Sequence, residues 1–369
     1  MKIIVLQDRL RSGGTERHSI LLSREFAAAG HEAELVTFRP GGRLAATVAS
    51  PYSSLQPFDT GIDWLAPGLL RRVLGKAPDI VLCMGKTANC FAGRIQERAR
   101  ARGLATRVVA TLRAGDKPPW LYLGSVRRAA HLVANSREAA DRLVSLHGLG
   151  RAAVTVIHNS LLFPPSDVGR DDALRASLGA GPSATVLLSV AMFRRPKGQR
   201  ALLEVAAGLP RAWDWRLWFV GDGPERGRCE ALSGRLGLSG KVRFLGFRED
   251  PGPYYRAADM AVHASSEEAL SNFLIEAQAH GLPAVACRAL GIRECFIEGT
   301  TGWVVEQGDL GAFRAALARL AADTPAQRAA RSEAARAFAR RSFDPGRQLR
   351  EYLALLESLL AGAAPAPRP

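Results

Sequence analysis

Short apolar runs alternate with helical stretches along the chain, and this alternation predicts its fold. The first run, Lys2–Leu6, is followed by a loop and by an amphipathic stretch, residues 17–30, which Gly30 closes. Further strand-like runs lie at residues 31–38, 79–84, 107–112, 131–136 and 154–159, and then at 185–193, 215–223, 242–247, 259–265 and 283–288. Short apolar strands separated by helices indicate parallel sheets with both faces covered.

A segment rich in Pro, Gly and Asp, residues 162–172, interrupts this series and has the composition of an interdomain linker. We therefore predict an α/β protein of two doubly wound, Rossmann-like domains, 1–165 and 170–340. The helical stretch 341–360 is expected to pack back on the N-terminal domain, and 361–369 is expected to be a disordered tail. Ligands of such sheets bind at the carboxyl ends of the strands, so two facing domains form a cleft.

Length and cysteine content agree with this organisation. A chain of 369 residues corresponds to about two domains. Its five cysteines form no C-x-x-C pair, which favours a reducing compartment over a disulfide framework or a zinc site. Charge appears within the first eight residues, too early for a signal peptide, and no apolar run is long enough to span a bilayer. These features predict a cytoplasmic protein.

The formal net charge of +15 indicates an anionic partner, such as a phosphorylated ligand or a membrane surface. Most of the basic residues are arginines scattered among Ala and Gly, so a coding bias toward GC-rich codons explains the charge equally well. No nucleic-acid-binding motif accompanies the charge, and a nucleic-acid partner is therefore not expected.

The most informative motif is SSEEALSNFLIEAQAHGLPAVA, residues 265–286. Ser271 or Asn272 is a suitable N-cap for a helix that ends near His280. Glu276 then lies about one turn inside the helix, and Glu268 lies on the loop before it. Peptide N–H groups at Leu270, Ser271 and Asn272, together with the helix dipole, would attract a phosphate. A capped surface helix with two solvated carboxylates is the alternative interpretation.

This segment resembles the donor-site motif of the family 4 retaining glycosyltransferases, which have the GT-B fold: Glu, seven residues, Glu, then Ala and a Gly-x-Pro turn. The resemblance implies that Glu276 binds the ribose of a nucleotide and that Glu268 lies near the hydroxyls of the donor sugar. It further implies that domain 170–340 binds the donor and that domain 1–165 meets the acceptor.

A basic loop follows the strand that ends near Phe193. Cations at a strand-to-helix turn can neutralise a diphosphate. In the resembled family an Arg and a Lys-Gly at this place contact the pyrophosphate and stabilise the leaving group, which implies Lys197 and Arg194, with Arg195 as the alternative to Arg194. A solvated basic loop would have the same composition.

Three weaker segments complete the resemblance. Gly221 lies in a Gly-Asp-Gly-Pro turn, which occurs in many proteins. Phe247 and Arg248 follow a Phe-x-Gly segment, and in the family the residues after this segment meet the nucleotide base through their backbone. Gly13 and Gly14 permit close approach of the backbone to a phosphate. In the family this segment closes over the donor phosphates from the N-terminal side. A simple turn and helix cap is the alternative interpretation.

Many members of the family carry an active-site His after the fourth strand of the N-terminal domain, and this chain has no His in the corresponding region, residues 83–93. This chain has Lys86 and Asn89 there, and Arg113 is a further candidate for the acceptor side. Four of the seven histidines are predicted to be packed or at the surface: His18, His131, His158 and His263.

Residues 117–131 place Trp120, Leu121, Tyr122 and Leu123 beside two arginines. Aromatic residues beside cations suit an anchor at an anionic membrane, here the inner face of the cytoplasmic membrane. An ordinary buried helix with a basic outer face is the alternative.

Together, the motifs and the resemblance imply a retaining hexosyltransferase that uses a nucleotide-diphosphate sugar, with a UDP-sugar favoured, and a glycan or lipid-linked acceptor in lipopolysaccharide or cell-surface polysaccharide biosynthesis. The chain has no Asp-x-Asp, so neither a metal nor another cofactor is expected. A nucleotide-sugar epimerase of the same fold and a non-catalytic sugar-nucleotide or polyanion-binding protein remain the alternatives.

Overall fold

The computed structural model describes residues 1–11, 13–62, 68–113, 120–164 and 169–362. The chain divides into two compact units. The first contains residues 1–160 and the chain from Pro345 onward, and the second is Leu161–Asp344. The predicted tail, 361–369, lies largely outside the described residues.

The first unit is built around a seven-stranded parallel sheet of order β3-β2-β1-β4-β5-β6-β7. Its strands are β1 (Lys2–Gln7), β2 (Glu32–Thr37), β3 (Tyr52–Ser54), β4 (Ile80–Cys83), β5 (Arg107–Leu112), β6 (His131–Ala134) and β7 (Val154–Val156). Its helices are α1 (Gly14–Ala28), α2 (Leu69–Leu74), α3 (Lys86–Ala101), α4 (Trp120–Val126), α5 (Arg137–His147) and, from the end of the chain, α13 (Pro345–Leu360).

Helix α13 joins the first unit through an apolar stripe. Tyr352, Leu355, Leu356 and Leu359 pack with Phe26 of α1 and with the interior of β1 and β4. Leu355 and Leu356 follow Tyr352 by three and four positions, and Leu359 follows them by four and three, so the four side chains share one helical face. The end of the chain therefore completes the hydrophobic core formed by its beginning.

The second unit has a six-stranded parallel sheet of order β10-β9-β8-β11-β12-β13. Its strands are β8 (Thr185–Val190), β9 (Trp215–Val220), β10 (Val242–Phe244), β11 (Met260–His263), β12 (Ala284–Cys287) and β13 (Gly302–Val305). Its helices are α6 (Asp172–Ser177), α7 (Gln199–Ala207), α8 (Arg226–Arg235), α9 (Gly252–Ala257), α10 (Asn272–Ala279), α11 (Leu310–Ala321) and α12 (Pro325–Ser342). Two apolar clusters cover the faces of this sheet.

The α/β architecture agrees with the pattern along the sequence, but two strands were not predicted. Both β3 and β13 are edge strands of only three and four residues. β3 has the sequence YSS and β13 the sequence GWVV, so neither contains a run of about four or more consecutive strand-forming residues.

The units also divide a few residues away from the predicted boundaries 165, 170 and 340. Leu161, just before the predicted linker, and Phe163, within it, already pack into the core of the second unit. At the other end, α12 runs past position 340 to Ser342, and α13 begins at Pro345.

Candidate active site

The second sheet changes direction between β8 and β11, its two central strands. From β8 the chain proceeds through β9 to β10 on one side, and from β11 it proceeds through β12 to β13 on the other. In open α/β sheets, ligands bind beyond the carboxyl ends of the strands at such a switch point. The loops that leave β8 and β11 at this point carry Lys197 and Glu268.

Lys197 and Glu268 form an ion pair across the switch point, with Lys197 Nζ 2.5 Å from Glu268 Oε1. The Lys197 side chain is 28% exposed, whereas that of Glu268 is 9% exposed. The pair is thus an ammonium accessible to solvent, held by a nearly buried carboxylate. The structure brings together two residues that are 71 positions apart in sequence.

His263, the last residue of β11, contacts the same carboxylate. Its Nε2 lies 2.9 Å from Glu268 Oε1 and 3.4 Å from Ser271 Oγ. Burial by itself would raise the pKa of Glu268, but the opposing effects of Lys197 and His263 lower the pKa to about 2. Glu268 is therefore a carboxylate at neutral pH, and it orients both of its partners.

The loops that carry this pair are joined through backbone groups. Ser266 N and Ser265 Oγ donate to the carbonyl of Pro196 at 2.8 Å and 3.0 Å. Gly198, with φ of +70°, packs so closely on the carbonyl of Ala264 that a Cβ atom would collide with it. Lys197 is therefore held by a rigid loop rather than by a freely moving one.

Helix α10 begins where the sequence predicted, with Ser271 as its N-cap. Ser271 Oγ accepts a hydrogen bond from Leu274 N at 3.4 Å. Leu270 is buried in the core, and Asn272 is the first helical residue. The N-terminus of α10, where backbone N–H groups are available, therefore lies just after Glu268, at the carboxyl ends of the strands.

Glu276 lies just over one turn into α10 and accepts a hydrogen bond from Tyr255 Oη at 2.6 Å. Tyr255 belongs to α9 and is buried between the rings of His280, at 4.8 Å, and Phe273, at 6.1 Å. This stacking fixes the phenol and thereby the rotamer of Glu276.

The two arginines beside Lys197 are exposed. Arg194 has extended backbone, and among the described residues its guanidinium has no hydrogen-bond or ion-pair partner. Arg195 is 82% exposed and lies 3.9 Å from Glu225, which Arg228 contacts at 2.6 Å. Arg194 is therefore available to an incoming anion, whereas Arg195 is held by a long ion pair with Glu225.

Gly221 closes the carboxyl end of β9. Its N–H donates to Gly246 at 2.8 Å, and with φ of +142° its Cα lies against the carbonyl of Ala191. Phe247 is half-buried and Arg248 is exposed, 5.9 Å from the ring of Tyr254. These three residues lie on neighbouring loops at the same edge of the second sheet.

The first unit contains the remaining predicted residues. Gly13 is the N-cap of α1 and Gly14 its first residue, and the carboxylate end of the Glu16 side chain lies against Gly13. Lys86 is exposed at the first position of α3. The Asp8 carboxylate accepts hydrogen bonds from Thr87 N and Ala88 N and so occupies the start of that helix.

Asn89 and Arg113 are bound within the fold of the first unit. The Asn89 amide accepts from Thr111 N and donates to the Gly85 carbonyl, both at 2.8 Å, and the residue is buried. Arg113 donates to Asn159 at 2.6 Å and to Tyr352 of α13 at 2.8 Å. These contacts give both side chains a structural role.

Sequence reasoning missed Tyr255. It predicted His263 to be a packed or surface residue, which the burial of His263 confirms, but it missed the contact of His263 with Glu268. A polar residue at the carboxyl end of an otherwise apolar strand was the available signal. Tyr255 gave none, because its contact with Glu276 depends on how α9 packs against α10.

Within the described ranges, no group of three or more His, Cys, Asp or Glu side chains could hold a metal ion. No helix in the described part of the chain is long and apolar enough to cross a bilayer.

Comparison with known proteins agrees with this geometry. Residues 12–161 match the profile described as Glycosyltransferase Family 4, and residues 184–323 match Glycosyl transferases group 1. The lipopolysaccharide core biosynthesis glycosyltransferase LpsE of Rhizobium meliloti (strain 1021) is 34% identical over 212 residues, which are 57% of this chain and 59% of that protein. A D-inositol 3-phosphate glycosyltransferase of Mycobacterium sp. (strain JLS) is 30% identical over 338 residues, which are 84% of this chain and 75% of that protein.

The crystal structure of Anabaena Alr3699/HepE in complex with UDP-glucose is similar over 97% of this chain and 100% of its own, with a TM-score of 0.81 and 24% identity. That similarity establishes the GT-B fold. Together, the two parallel-sheet units, the paired Lys197 and Glu268 and the sequence matches identify this chain as a member of the family 4 glycosyltransferases.

Proposed function

We propose that this glycosyltransferase moves a hexose from a UDP-sugar to a glycan or lipid-linked acceptor with retention of configuration, in the assembly of lipopolysaccharide or a cell-surface polysaccharide. The donor class is supported by the Anabaena structure, which has UDP-glucose bound. The acceptor class is supported by the Rhizobium relative, which is named for lipopolysaccharide core biosynthesis.

One observation carries the proposal: an accessible ammonium, Lys197, is held 2.5 Å from the buried Glu268 at the switch point of the second sheet. Helix α10 begins four residues after Glu268, and Glu276 lies just over one turn farther on. A diphosphate fits the cation and the helix start, and a ribose fits the carboxylate beyond them. This order matches the order of groups in a nucleotide sugar.

In the proposed reaction, the bond between the sugar C1 and the diphosphate oxygen breaks, and that oxygen keeps the electron pair. The acceptor hydroxyl oxygen bonds to C1, and its proton ends on the released diphosphate. Charge thus develops on the leaving group, where Lys197, Arg194 and the α10 N-terminus can stabilise it. Positive groups that are already in place lower such a barrier because they need no reorganisation.

The proposal requires no metal, because Lys197 and Arg194 supply the positive charge that a divalent ion would bring to a diphosphate. Glu268 is assigned to the donor sugar hydroxyls. Leu270, Ser271 and Asn272 form the phosphate end of the helix, and Gly221, Phe247 and Arg248 border the base.

On the first unit, Gly13 and Gly14 are proposed to approach the donor phosphates, and Lys86 is proposed to serve the acceptor side. Asn89 and Arg113 are proposed to support the acceptor side from within the first unit, since the groups they contact belong to that unit.

We also propose that the first unit rests on an anionic membrane surface through α4. Trp120 is 80% exposed and Leu121 is 54% exposed, although both are large apolar side chains. Arg127 and Arg128 follow directly on the helix. Flotation with vesicles containing anionic lipid tests this: W120A/L121A should lose binding, and equal flotation of that variant and the wild type would contradict it.

The function itself is tested by incubating the purified protein with a panel of UDP- and GDP-sugars and a cell lipid extract, and by identifying products by mass. Release of UDP with a matching mass increase in an acceptor supports the proposal. An epimerised nucleotide sugar would instead identify an epimerase, and binding without turnover would identify a sugar-nucleotide-binding protein. Repeating the assay in EDTA tests whether the reaction needs a metal ion, and we expect unchanged turnover.

A further inference from the structure

A solvent-open cavity of about 900 Å³ lies within the second unit, at the edge of the sheet where its strands begin. Thr185 and Met260, the first residues of β8 and β11, line it. Lys197 and Glu268 follow the other ends of these same strands. A six-residue strand is roughly 17 Å from its first to its last residue, so the cavity is distinct from the proposed donor site.

Arginine dominates the described residues that line this cavity. Six arginines line it, against three carboxylates, which leaves an excess of three positive charges. The arginines are Arg170, Arg256, Arg328, Arg331, Arg336 and Arg340. Burial, and next to it the charge of Arg256, lowers the pKa of His280 in the wall to about 4, so this ring is neutral at pH 7.

Three of the six arginines are neutralised locally. Arg170 lies 3.6 Å from Asp259, Arg331 lies 2.6 Å from Asp323, and Arg336 lies 3.6 Å from Glu333. The three carboxylates of the wall are therefore already engaged.

The other three, Arg256, Arg328 and Arg340, have no ion-pair partner among the described residues. Arg328 and Arg340 are exposed on α12, as surface arginines often are. Arg256 on α9 is different, because it is half-buried and its Nε is buried without a hydrogen-bond partner. The Nε atoms of Arg9, Arg113 and Arg175 share this feature, so what sets Arg256 apart is that it also lines the cavity.

The cavity wall is also shaped to admit polar groups of α12. Gly281, which ends α10 with φ of +77°, lies against Ser332 Oγ and the Arg336 guanidinium, where a Cβ would collide with both. The glycine thus allows a hydroxyl and a guanidinium to lie at the cavity wall, beside the arginines that have no partner.

We propose that this cavity, which we call the arginine groove, binds an anion bearing phosphate groups, held by Arg256 of α9 and by Arg328 and Arg340 of α12. Guanidinium groups bind phosphate through paired, charge-assisted hydrogen bonds, and three of them without carboxylate partners match at least two negative charges. The phosphate belongs either to a small soluble molecule or to a lipid headgroup. The inference does not depend on the donor site.

Calorimetric titration of the full-length protein with inorganic pyrophosphate at low ionic strength tests the groove. R256Q/R340Q should weaken binding by about tenfold or more, since it removes charge-assisted hydrogen bonds. R340Q alone should weaken it measurably without affecting folding, because Arg340 is exposed and unpaired.

R211Q/R235Q is the matched control. It removes the same charge from two exposed arginines of the second unit that do not line the cavity. K197M controls for pyrophosphate bound at the donor site. The proposal requires that both controls retain a pyrophosphate site that R256Q/R340Q lacks. Equal weakening in R211Q/R235Q, or wild-type binding in R256Q/R340Q, would overturn it.

Flotation with phosphatidylcholine vesicles containing phosphatidic acid separates the two sources of phosphate. A decrease in flotation for R256Q/R340Q but not for R211Q/R235Q supports a lipid headgroup. Weakened pyrophosphate binding with unchanged flotation supports a soluble phosphate compound. No binding of either probe by the wild-type protein would contradict the proposal.

Discussion

His263 Nε2 lies 2.9 Å from Glu268 Oε1, the same oxygen that Lys197 contacts at 2.5 Å. Because a carboxylate can only accept, the hydrogen must be on Nε2 of the imidazole. One buried oxygen thus collects two donors from two different strand ends, and it fixes the position of the lysine proposed to meet the diphosphate.

The His263 contact predicts a positioning role. We expect His263→Leu to lower kcat by about tenfold while changing the donor KM little, because a buried charged hydrogen bond is lost while the apolar volume is kept. His263→Gln should restore part of the loss, since its amide can donate to Glu268. The control is His131→Leu in the first unit, where His131 contacts Thr155 at 2.8 Å; equal losses in the two leucine variants would refute the role.

The Glu268 carboxylate predicts a pH dependence of stability. Its folded pKa of about 2 lies below the ordinary value of 4.5, so the native state binds fewer protons than the unfolded state between these values. The resulting stabilisation, on the order of 3 kcal/mol, is complete above about pH 4.5 and is lost as the pH falls through about 2. In urea unfolding, the free energy of unfolding should fall less steeply with decreasing pH in Glu268→Gln than in the wild type. An equally steep fall in the two proteins would contradict this prediction.

Lys197 is predicted to act mainly on turnover. We expect Lys197→Met to lower kcat by about 100- to 1000-fold, the usual effect of removing one preorganised positive or hydrogen-bonding group from a transition state. Lys76→Met is the matched control, because Lys76 pairs with Glu34 at 2.7 Å in the first unit. Initial rates at saturating donor give kcat for both variants. Comparable losses of kcat would show that breaking any Lys–Glu pair lowers activity and would contradict a specific role for Lys197.

Glu276 and Tyr255 are predicted to act on donor binding. Glu276→Gln should raise the Kd for UDP by about tenfold, since a charged hydrogen bond to ribose is lost. Tyr255→Phe removes the 2.6 Å hydrogen bond that orients Glu276 and should raise the Kd by a smaller factor. Tyr122→Phe, which removes a 2.7 Å bond to the Thr111 carbonyl, should leave UDP binding unchanged. Calorimetry with UDP distinguishes these outcomes, and an unchanged Kd in Glu276→Gln would remove the ribose assignment.

Gly198 is predicted to be irreplaceable in the Lys197 loop. Gly198→Ala should lower the free energy of unfolding by about 2–4 kcal/mol, because it combines an unfavourable positive φ with a collision against Ala264. Gly299→Ala has a similar φ of +76° but open space around it, and should cost only about 1 kcal/mol. Equal losses in urea unfolding would mean that backbone conformation alone determines the effect.

Local chemistry explains why much of this protein was predictable. Apolar runs and capping residues act on their own neighbours in the chain, so the central strands and the start of α10 at Ser271 follow from the pattern. The motif around Glu268 and Glu276 was recognisable for the same reason: its spacing reflects one loop and one helix.

Contacts between distant segments decided the rest. The acceptor-side role of Asn89 and Arg113 stays a prediction, but their contacts with Thr111, Asn159 and Tyr352 could not be inferred from the sequence. The bond from His263 to Glu268, the Tyr255 contact with Glu276 and the arginine groove all arise where separate elements meet. No periodicity encodes such meetings, because they depend on how helices and strands pack, and packing brings together residues that the chain keeps far apart.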